Sequence, residues 1–158
     1  MDVEQSPNGS QAAPPRPAGR ALERALTAAR TAEDNRGREI VVLDLRELTT
    51  IFDYFVLASG TSRRQLHAMS EEIDHALEEG MGDRRLGIEG YAESRWILLD
   101  YGDVVIHLFD PETRAYYGIE DLWGLAKRVP FEPRRPDALP DAPTDAPPEA
   151  QGKPPAQE

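Results

Sequence analysis

The sequence contains no cysteine, so neither a disulfide framework nor a cysteine-based zinc site can form. Its apolar runs fall far short of the roughly 20 residues that a membrane-spanning helix needs. The first ten residues lack the basic start and apolar stretch of a secretory signal. Positive charge is also scarce, because 18 Lys and Arg face 29 Asp and Glu and the formal net charge is −11. These absences predict a soluble cytoplasmic protein that avoids membranes and bare nucleic acid, whereas a basic protein partner would fit.

Proline is almost missing from the middle of the chain. Of 14 prolines, four lie within residues 1–20, nine lie within 130–158, and only Pro111 lies between them. Both ends also lack apolar periodicity, and such segments cannot bury enough surface to offset the entropy of ordering. We therefore expect a disordered N-terminal extension over 1–20, a folded domain over 21–130 and a disordered, Pro-rich acidic tail over 131–158.

Two long segments carry the apolar spacing of helices, 21–36 and 63–79. Ser62 and Gln65 have the spacing of a capping box for the second helix, and Gly80 is its expected end. Asp110 and Pro111 begin a short helix, and another helical piece is expected at 119–124.

β-branched, aliphatic and aromatic runs predict five strands. They are 39–45, 54–58, 86–90, 95–101 and 104–109. Several of these strands follow one another without an intervening helix, which implies a mixed sheet. The predicted fold class is therefore α+β, with a mixed five-stranded sheet packed with helices.

The last two strands form a predicted hairpin that turns at Gly102 and Asp103. Glycine supplies the positive φ of a two-residue turn, and the register then pairs Trp96 with Phe109. Alternation along the strands separates two faces. The inner face is apolar with one phenol and comprises Ile97, Leu99, Tyr101, Val104, Ile106 and Leu108. The outer face mixes large apolar groups with a carboxylate and an imidazole and comprises Trp96, Leu98, Asp100, Val105, His107 and Phe109.

The outer face has two interpretations that the sequence leaves open. A helix covers it, so that Asp100 and His107 are partly buried polar groups with satisfied hydrogen bonds. Alternatively, part of the face is open, and the cross-strand pair of Trp96 and Phe109 anchors another protein. An open aromatic face could also pair with a second copy, which predicts a homodimer in the free protein.

Patterns for catalysis and metal binding are weak. His67 and His75 lie about 12 Å apart along a helix axis, too far to share a small ion. The turn over residues 59–62 has neither the form of a nucleophile elbow nor that of a phosphate-binding loop, so helix capping is the simpler interpretation. We expect no catalytic residue, no metal and no cofactor.

Several separated motifs resemble the ribosomal silencing factor family, also called the Iojap family. They occur in order over about residues 20–125: DYFV (53–56), SGTS (59–62), EG (89–90), WILLDYGDVVIH (96–107), RAYY (114–117) and EDLW (120–123). The resemblance implies a nucleotidyltransferase-like topology without the catalytic site. Consistent with this, the sequence lacks a Gly-Ser loop followed by a paired Asp-x-Asp.

The resemblance also implies a function. Members of the family bind the large ribosomal subunit through its ribosomal protein fourteen, block joining of the small subunit and reduce translation under nutrient limitation. Little or no direct contact with rRNA is expected, because phosphate would repel an acidic protein. The alternatives are a nucleotidyltransferase-like enzyme, a ribosome assembly factor and a direct RNA binder.

Carried over residue by residue, the resemblance assigns partner binding to six positions. They are Trp96, Leu98, Asp100, Tyr101, His107 and Phe109. The hairpin register sets Tyr101 apart from the others, on the inner face. The resemblance leaves Glu89 and Gly90 without a derivable role. Four further matches are expected to pack the short C-terminal helices against the sheet: Arg114, Tyr116, Tyr117 and Trp123.

Overall fold

The computed structural model describes residues 19–131. Its elements are α1 (Gly19–Asp34), β1 (Arg38–Asp44), β2 (Tyr54–Ser59), α2 (Arg63–Met81), β3 (Gly87–Glu89), β4 (Trp96–Asp100), β5 (Val104–Phe109), α3 (Pro111–Tyr117), α4 (Ile119–Leu122) and β6 (Lys127–Arg128). Residues 1–18 and 132–158, which hold nearly all of the two expected extensions, lie outside the described range. Gly19 and Arg20 belong to α1 rather than to an extension.

The strands form one mixed sheet in the order β3-β4-β5-β2-β1-β6. Strands β2 and β5 are parallel, and the other neighbours are antiparallel. The α+β class and the mixed sheet are therefore confirmed, but the expected count of five strands is wrong. The sixth strand, β6, pairs with Leu43 and Asp44 of β1. It consists of Lys127 and Arg128, so it carries no apolar alternation that could have predicted it.

Helices α1 and α2 cover one face of the sheet and enclose the larger core. Five alanines of α1 are buried there, and their small side chains allow the helix to approach the sheet and α2 closely. The core also contains all six residues of the predicted inner face of the hairpin: Ile97, Leu99, Tyr101, Val104, Ile106 and Leu108. The alternation inferred from the sequence is thus confirmed for this face.

The ends of α2 agree with the sequence at one side only. Ser62 Oγ accepts a hydrogen bond from the backbone N–H of Gln65 over 3.1 Å, as the capping-box spacing predicts. The helix passes through Gly80 and ends at Met81, because the left-handed cap is Gly82, at φ 70°. None of the helices within residues 19–131 combines the length and the apolar character that a membrane crossing requires.

A second, smaller core lies on the opposite face of the sheet. Its buried members are Leu43, Leu45, Phe55, Leu57, Val105 and Phe109. The segment after α3 covers part of this core through Ile119, Trp123 and Ala126. The side of the outer face formed by β1, β2 and β5 is therefore buried, while Trp96 and Leu98 of β4 are only partly buried.

Candidate functional site

The β4–β5 hairpin has the register predicted from the sequence. Trp96 pairs with Phe109, and their ring centroids lie 4.9 Å apart. Gly102 supplies a φ of 87° at the turn, and Asp100 Oδ1 accepts a hydrogen bond from the Gly102 N–H over 2.8 Å. The tight turn thus aligns the two strands and sets the outer face.

Exposure divides the six expected partner-binding residues into two groups. Trp96, Leu98 and Asp100 are half-buried and reach the surface. The other three are buried: Phe109 is 0 % exposed, His107 is 3 % exposed and Tyr101 is 6 % exposed. The alternative in which Phe109 lies open beside Trp96 is therefore wrong, whereas Tyr101 lies on the inner face as the register predicted. Phe109 and His107 lie beneath the surface because the second core closes over them.

The Trp96 indole is held by the ring beneath it. Its Nε1–H donates a hydrogen bond to Nδ1 of His107 over 3.1 Å. Burial lowers the pKa of His107 to about 3, so the imidazole is neutral and can accept this bond. The remaining proton then lies on Nε2, which has no hydrogen-bond partner within the described residues. This buried imidazole therefore orients the indole.

Tyr101 fixes the turn end of the hairpin to α2. Its hydroxyl donates a hydrogen bond to Asp74 Oδ1 over 2.5 Å, and Arg85 pairs with the same carboxylate. Burial and, second, the Asp74 hydrogen bond raise the pKa of Tyr101, so the phenol stays protonated. Tyr101 belongs to the inner core, as the register had indicated.

A groove of about 470 Å³ opens beside Trp96. Tyr117 lies against the indole, with ring centroids 4.9 Å apart, and Tyr116 lies edge-on to Tyr117. The expectation that both tyrosines pack against the sheet is wrong for Tyr116, which is 82 % exposed; Tyr117 is 55 % exposed and meets the sheet through the Trp96 ring. Glu93, Glu112 and Arg95 also line the groove. Sequence reasoning missed this groove, and the only signal for it was the pair of adjacent tyrosines at the end of a short helix.

Arg114 and Trp123 pack as expected. Arg114 is buried, and it donates to Ser59 Oγ over 2.8 Å and to Glu120 Oε1 over 2.7 Å, which ties α3 and α4 to the end of β2. Trp123 meets Phe55 edge-on at 5.8 Å. Beside Trp123, two leucines are left almost uncovered, since Leu122 is 78 % exposed and Leu125 is 87 % exposed. Both leucines line a second groove together with Leu48 and Trp123.

The structure gives Gly90 the role that the sequence left open. Gly90 has a φ of 75°, and a Cβ atom there would lie 1.9 Å from the carbonyl oxygen of Trp96. The loop after it is held by a hydrogen bond of 2.6 Å between Ser94 Oγ and His67 Nε2. Arg63 of α2 also donates to the carbonyl of Ala92 over 2.9 Å. The loop therefore fixes where β4 begins and where Trp96 lies.

The two aspartates at the hairpin turn make structural contacts. Within residues 19–131, no group of three or more His, Asp or Glu side chains is placed to hold a metal ion. Asp100 shapes the hairpin turn, and Asp103 pairs with Arg24 of α1. The two carboxylates therefore have structural partners rather than a shared site.

Comparisons with known proteins agree with the resemblance. A family described as "Ribosomal silencing factor during starvation" matches residues 18–157. A ribosomal silencing factor of Halalkalibacterium halodurans is 39 % identical over 106 residues, which cover 66 % of this chain and 89 % of the relative. A mouse relative named "Mitochondrial assembly of ribosomal large subunit protein 1" is 40 % identical over 90 residues, covering 56 % of this chain and 40 % of that one.

A solved structure from Chromobacterium violaceum matches with a TM-score of 0.63 and 36 % identity. The match covers 73 % of this chain and 96 % of that chain. Family and fold thus agree over the part that holds the Trp96 surface. This chain belongs to the ribosomal silencing factor family.

Proposed function

We propose that this protein represses translation by binding the large ribosomal subunit and sterically blocking the small subunit. By the family resemblance, the docking partner is ribosomal protein fourteen of the large subunit. The observation that carries the proposal is the half-exposed Trp96, which lies next to two exposed tyrosines on an otherwise well-packed sheet. An exposed aromatic cluster of this kind is typical of a protein-binding hot spot.

The contact residues in this proposal are Trp96, Leu98 and Asp100, which reach the surface. His107 and Phe109 act from beneath, because one accepts the indole hydrogen bond and the other packs against the indole. Tyr101 does not contact the partner in this proposal; it holds the hairpin against α2 through its hydrogen bond to Asp74.

Charge supports a basic protein as the partner. The chain has a formal net charge of −11, which favours approach to a positively charged surface and disfavours rRNA phosphate. Complementary charge of this kind speeds encounter and fixes orientation more than it increases affinity. The proposed mechanism needs no catalysis, because a bound domain of about 110 residues, with a radius of gyration of about 13 Å, excludes another body from the same surface.

Co-sedimentation in sucrose gradients tests the proposal. The full chain is mixed with purified large subunits, with purified small subunits, and with both. We expect the protein in the large-subunit fraction alone, and a smaller yield of joined ribosomes when it is present in excess. Its absence from the large subunit, or undiminished joining when it is bound, contradicts the proposal.

A role in large-subunit assembly is the second candidate, favoured by the printed name of the mouse relative. The two functions separate on depletion in cells. Loss of an assembly factor causes large-subunit precursors to accumulate during growth, whereas loss of a silencing factor leaves maturation intact and raises translation under starvation.

A further inference from the structure

The groove beside Trp96 is built from aromatic rings. The centroids of Trp96 and Tyr117 lie 4.9 Å apart, and those of Tyr117 and Tyr116 lie 5.0 Å apart at an interplanar angle of 85°. Both tyrosines are more than half exposed, so their faces are accessible from solvent. Such faces carry negative potential and attract a cation placed within about 6 Å of the ring centroid.

Two carboxylates line the same groove. Glu93 comes from the loop before β4, and Glu112 comes from the first turn of α3. Neither carboxylate forms a hydrogen bond or an ion pair with another residue in the described range. Arg95 also lines the groove, but one cation balances only one of the two carboxylates.

We propose that this groove receives one arginine side chain of the ribosomal partner. Its guanidinium stacks on the Tyr117 and Trp96 rings and pairs with Glu112 or Glu93. A volume of about 470 Å³ lies within the roughly 300–1,000 Å³ of small-ligand pockets, so one extended side chain has room. The inference deepens the proposed function and rests on it for the identity of the partner.

The two carboxylates of the groove favour a cationic side chain over an apolar one. An apolar side chain would cover Glu93 and Glu112 without giving them a partner, which costs free energy. A guanidinium satisfies a carboxylate with paired hydrogen bonds and also stacks on aromatic faces, which an ammonium does less well.

Matched variants test the inference in the co-sedimentation assay at low salt. Glu112→Gln removes charge at constant shape, and Tyr117→Leu removes the ring but keeps apolar volume. We expect each change to weaken binding to large subunits about three- to fivefold. Arg95→Gln is expected to strengthen binding about twofold, since it removes a competing cation. Glu72→Gln removes the same charge on the exposed side of α2 and serves as the control without effect.

A titration with argininamide tests the groove without ribosomes. The NMR signals of the Trp96 indole N–H and the Tyr117 ring are expected to shift saturably in the full chain. The shifts are expected to weaken in Glu112→Gln and to persist in Glu72→Gln, and alaninamide is expected to cause none. Absence of a saturable shift with argininamide overturns the inference.

The outcomes separate this inference from the function on which it rests. Unchanged binding of Glu112→Gln and Tyr117→Leu, with Trp96→Ala still impaired, overturns the arginine groove and leaves the proposed function standing. If the wild-type chain does not bind large subunits, the proposed function is wrong, and the argininamide titration alone decides whether the groove accepts a cation.

Discussion

The Trp96 indole donates its only hydrogen bond to a histidine that is buried 3.1 Å away, Nδ1 of His107. The half-buried ring that we propose as the binding anchor is thus oriented by a group in the interior of the domain. Without the His107 acceptor, the indole N–H can only hydrogen-bond to water, and the ring is free to rotate.

His107→Phe is therefore expected to weaken large-subunit binding about threefold or more, because the ring volume remains but the acceptor is lost. His107→Asn places an amide oxygen near the position of Nδ1 and should recover part of the loss. The NMR signal of the Trp96 indole N–H reports the hydrogen bond directly. If His107→Phe leaves both this signal and the affinity unchanged, the imidazole does not position the indole.

Trp96→Ala is expected to lose about 2 kcal/mol or more of binding free energy, a thirtyfold effect or greater, because it removes the proposed hot spot. Ile51→Ala is the matched control, since Ile51 is 71 % exposed and lies in the β1–β2 connection. Circular dichroism checks that both variants fold. Full-strength binding by a folded Trp96→Ala variant would refute the anchor assignment.

Stability is expected to fall between pH 7 and pH 5. The pKa of His107 is about 3 in the folded chain and about 6.5 when unfolded, so only the unfolded state takes up a proton in this window. The stabilisation is complete above pH 6.5 and decreases as the pH falls towards 3, by about 2 kcal/mol at pH 5. Urea unfolding measures the change, and His107→Phe should show a clearly smaller pH dependence. If the free energy of unfolding changes equally with pH in the wild-type chain and in His107→Phe, His107 is not the group responsible.

Gly90→Ala is expected to destabilise the fold by more than about 2 kcal/mol, because the new Cβ meets the Trp96 carbonyl and φ is positive. Gly80→Ala gives a control of opposite sign. A Cβ at Gly80 meets nothing within 4 Å, and alanine favours a helix by about 1 kcal/mol over glycine. The melting temperatures of the two variants are compared. If Gly90→Ala is as stable as Gly80→Ala, the backbone of Gly90 does not lie as close to the Trp96 carbonyl as the structure shows.

Removal of residues 132–158 is expected to leave ribosome binding nearly unchanged. The deletion starts after Phe131, because this ring packs against the larger core. The removed segment is acidic and rich in proline, with little apolar surface for a partner. A large loss of co-sedimentation would show instead that the segment is a binding arm.

The parts of the fold that the sequence predicted follow from local rules. A glycine at the hairpin turn set the register of Trp96 and Phe109, and alternation then assigned every inner-face residue correctly. Ser62 and Asp110 cap helices because their side chains reach the backbone N–H three residues ahead. Each of these features depends on neighbours along the chain.

What the sequence could not predict depends on where distant segments lie. Phe109 and Trp96 have the same face and similar chemistry, yet Phe109 is buried and Trp96 is half-buried. Phe109 lies on β5, between β4 and β2, whereas Trp96 lies on β4 beyond the residues that β3 pairs with. The exposure of Tyr116 and Tyr117 likewise depends on where α3 lies relative to the sheet. Their motif indicated importance, but whether the rings pack inward was decided by the path of α3.

The sheet ends in two very short strands, β3 with three residues and β6 with two. β6 pairs only with Leu43 and Asp44, so the first half of β1 has no strand on that side within the described residues. That half is interrupted by an irregularity in register between Arg38 and Val41, and an irregular edge is a poor template for another strand. Intermolecular β-augmentation is accordingly disfavoured, both as a mode of recognition and as a route to fibrils. In the proposed function, specificity then comes from side chains on the outer face, where a single substitution can change the choice of partner without disturbing the hydrogen-bonded backbone.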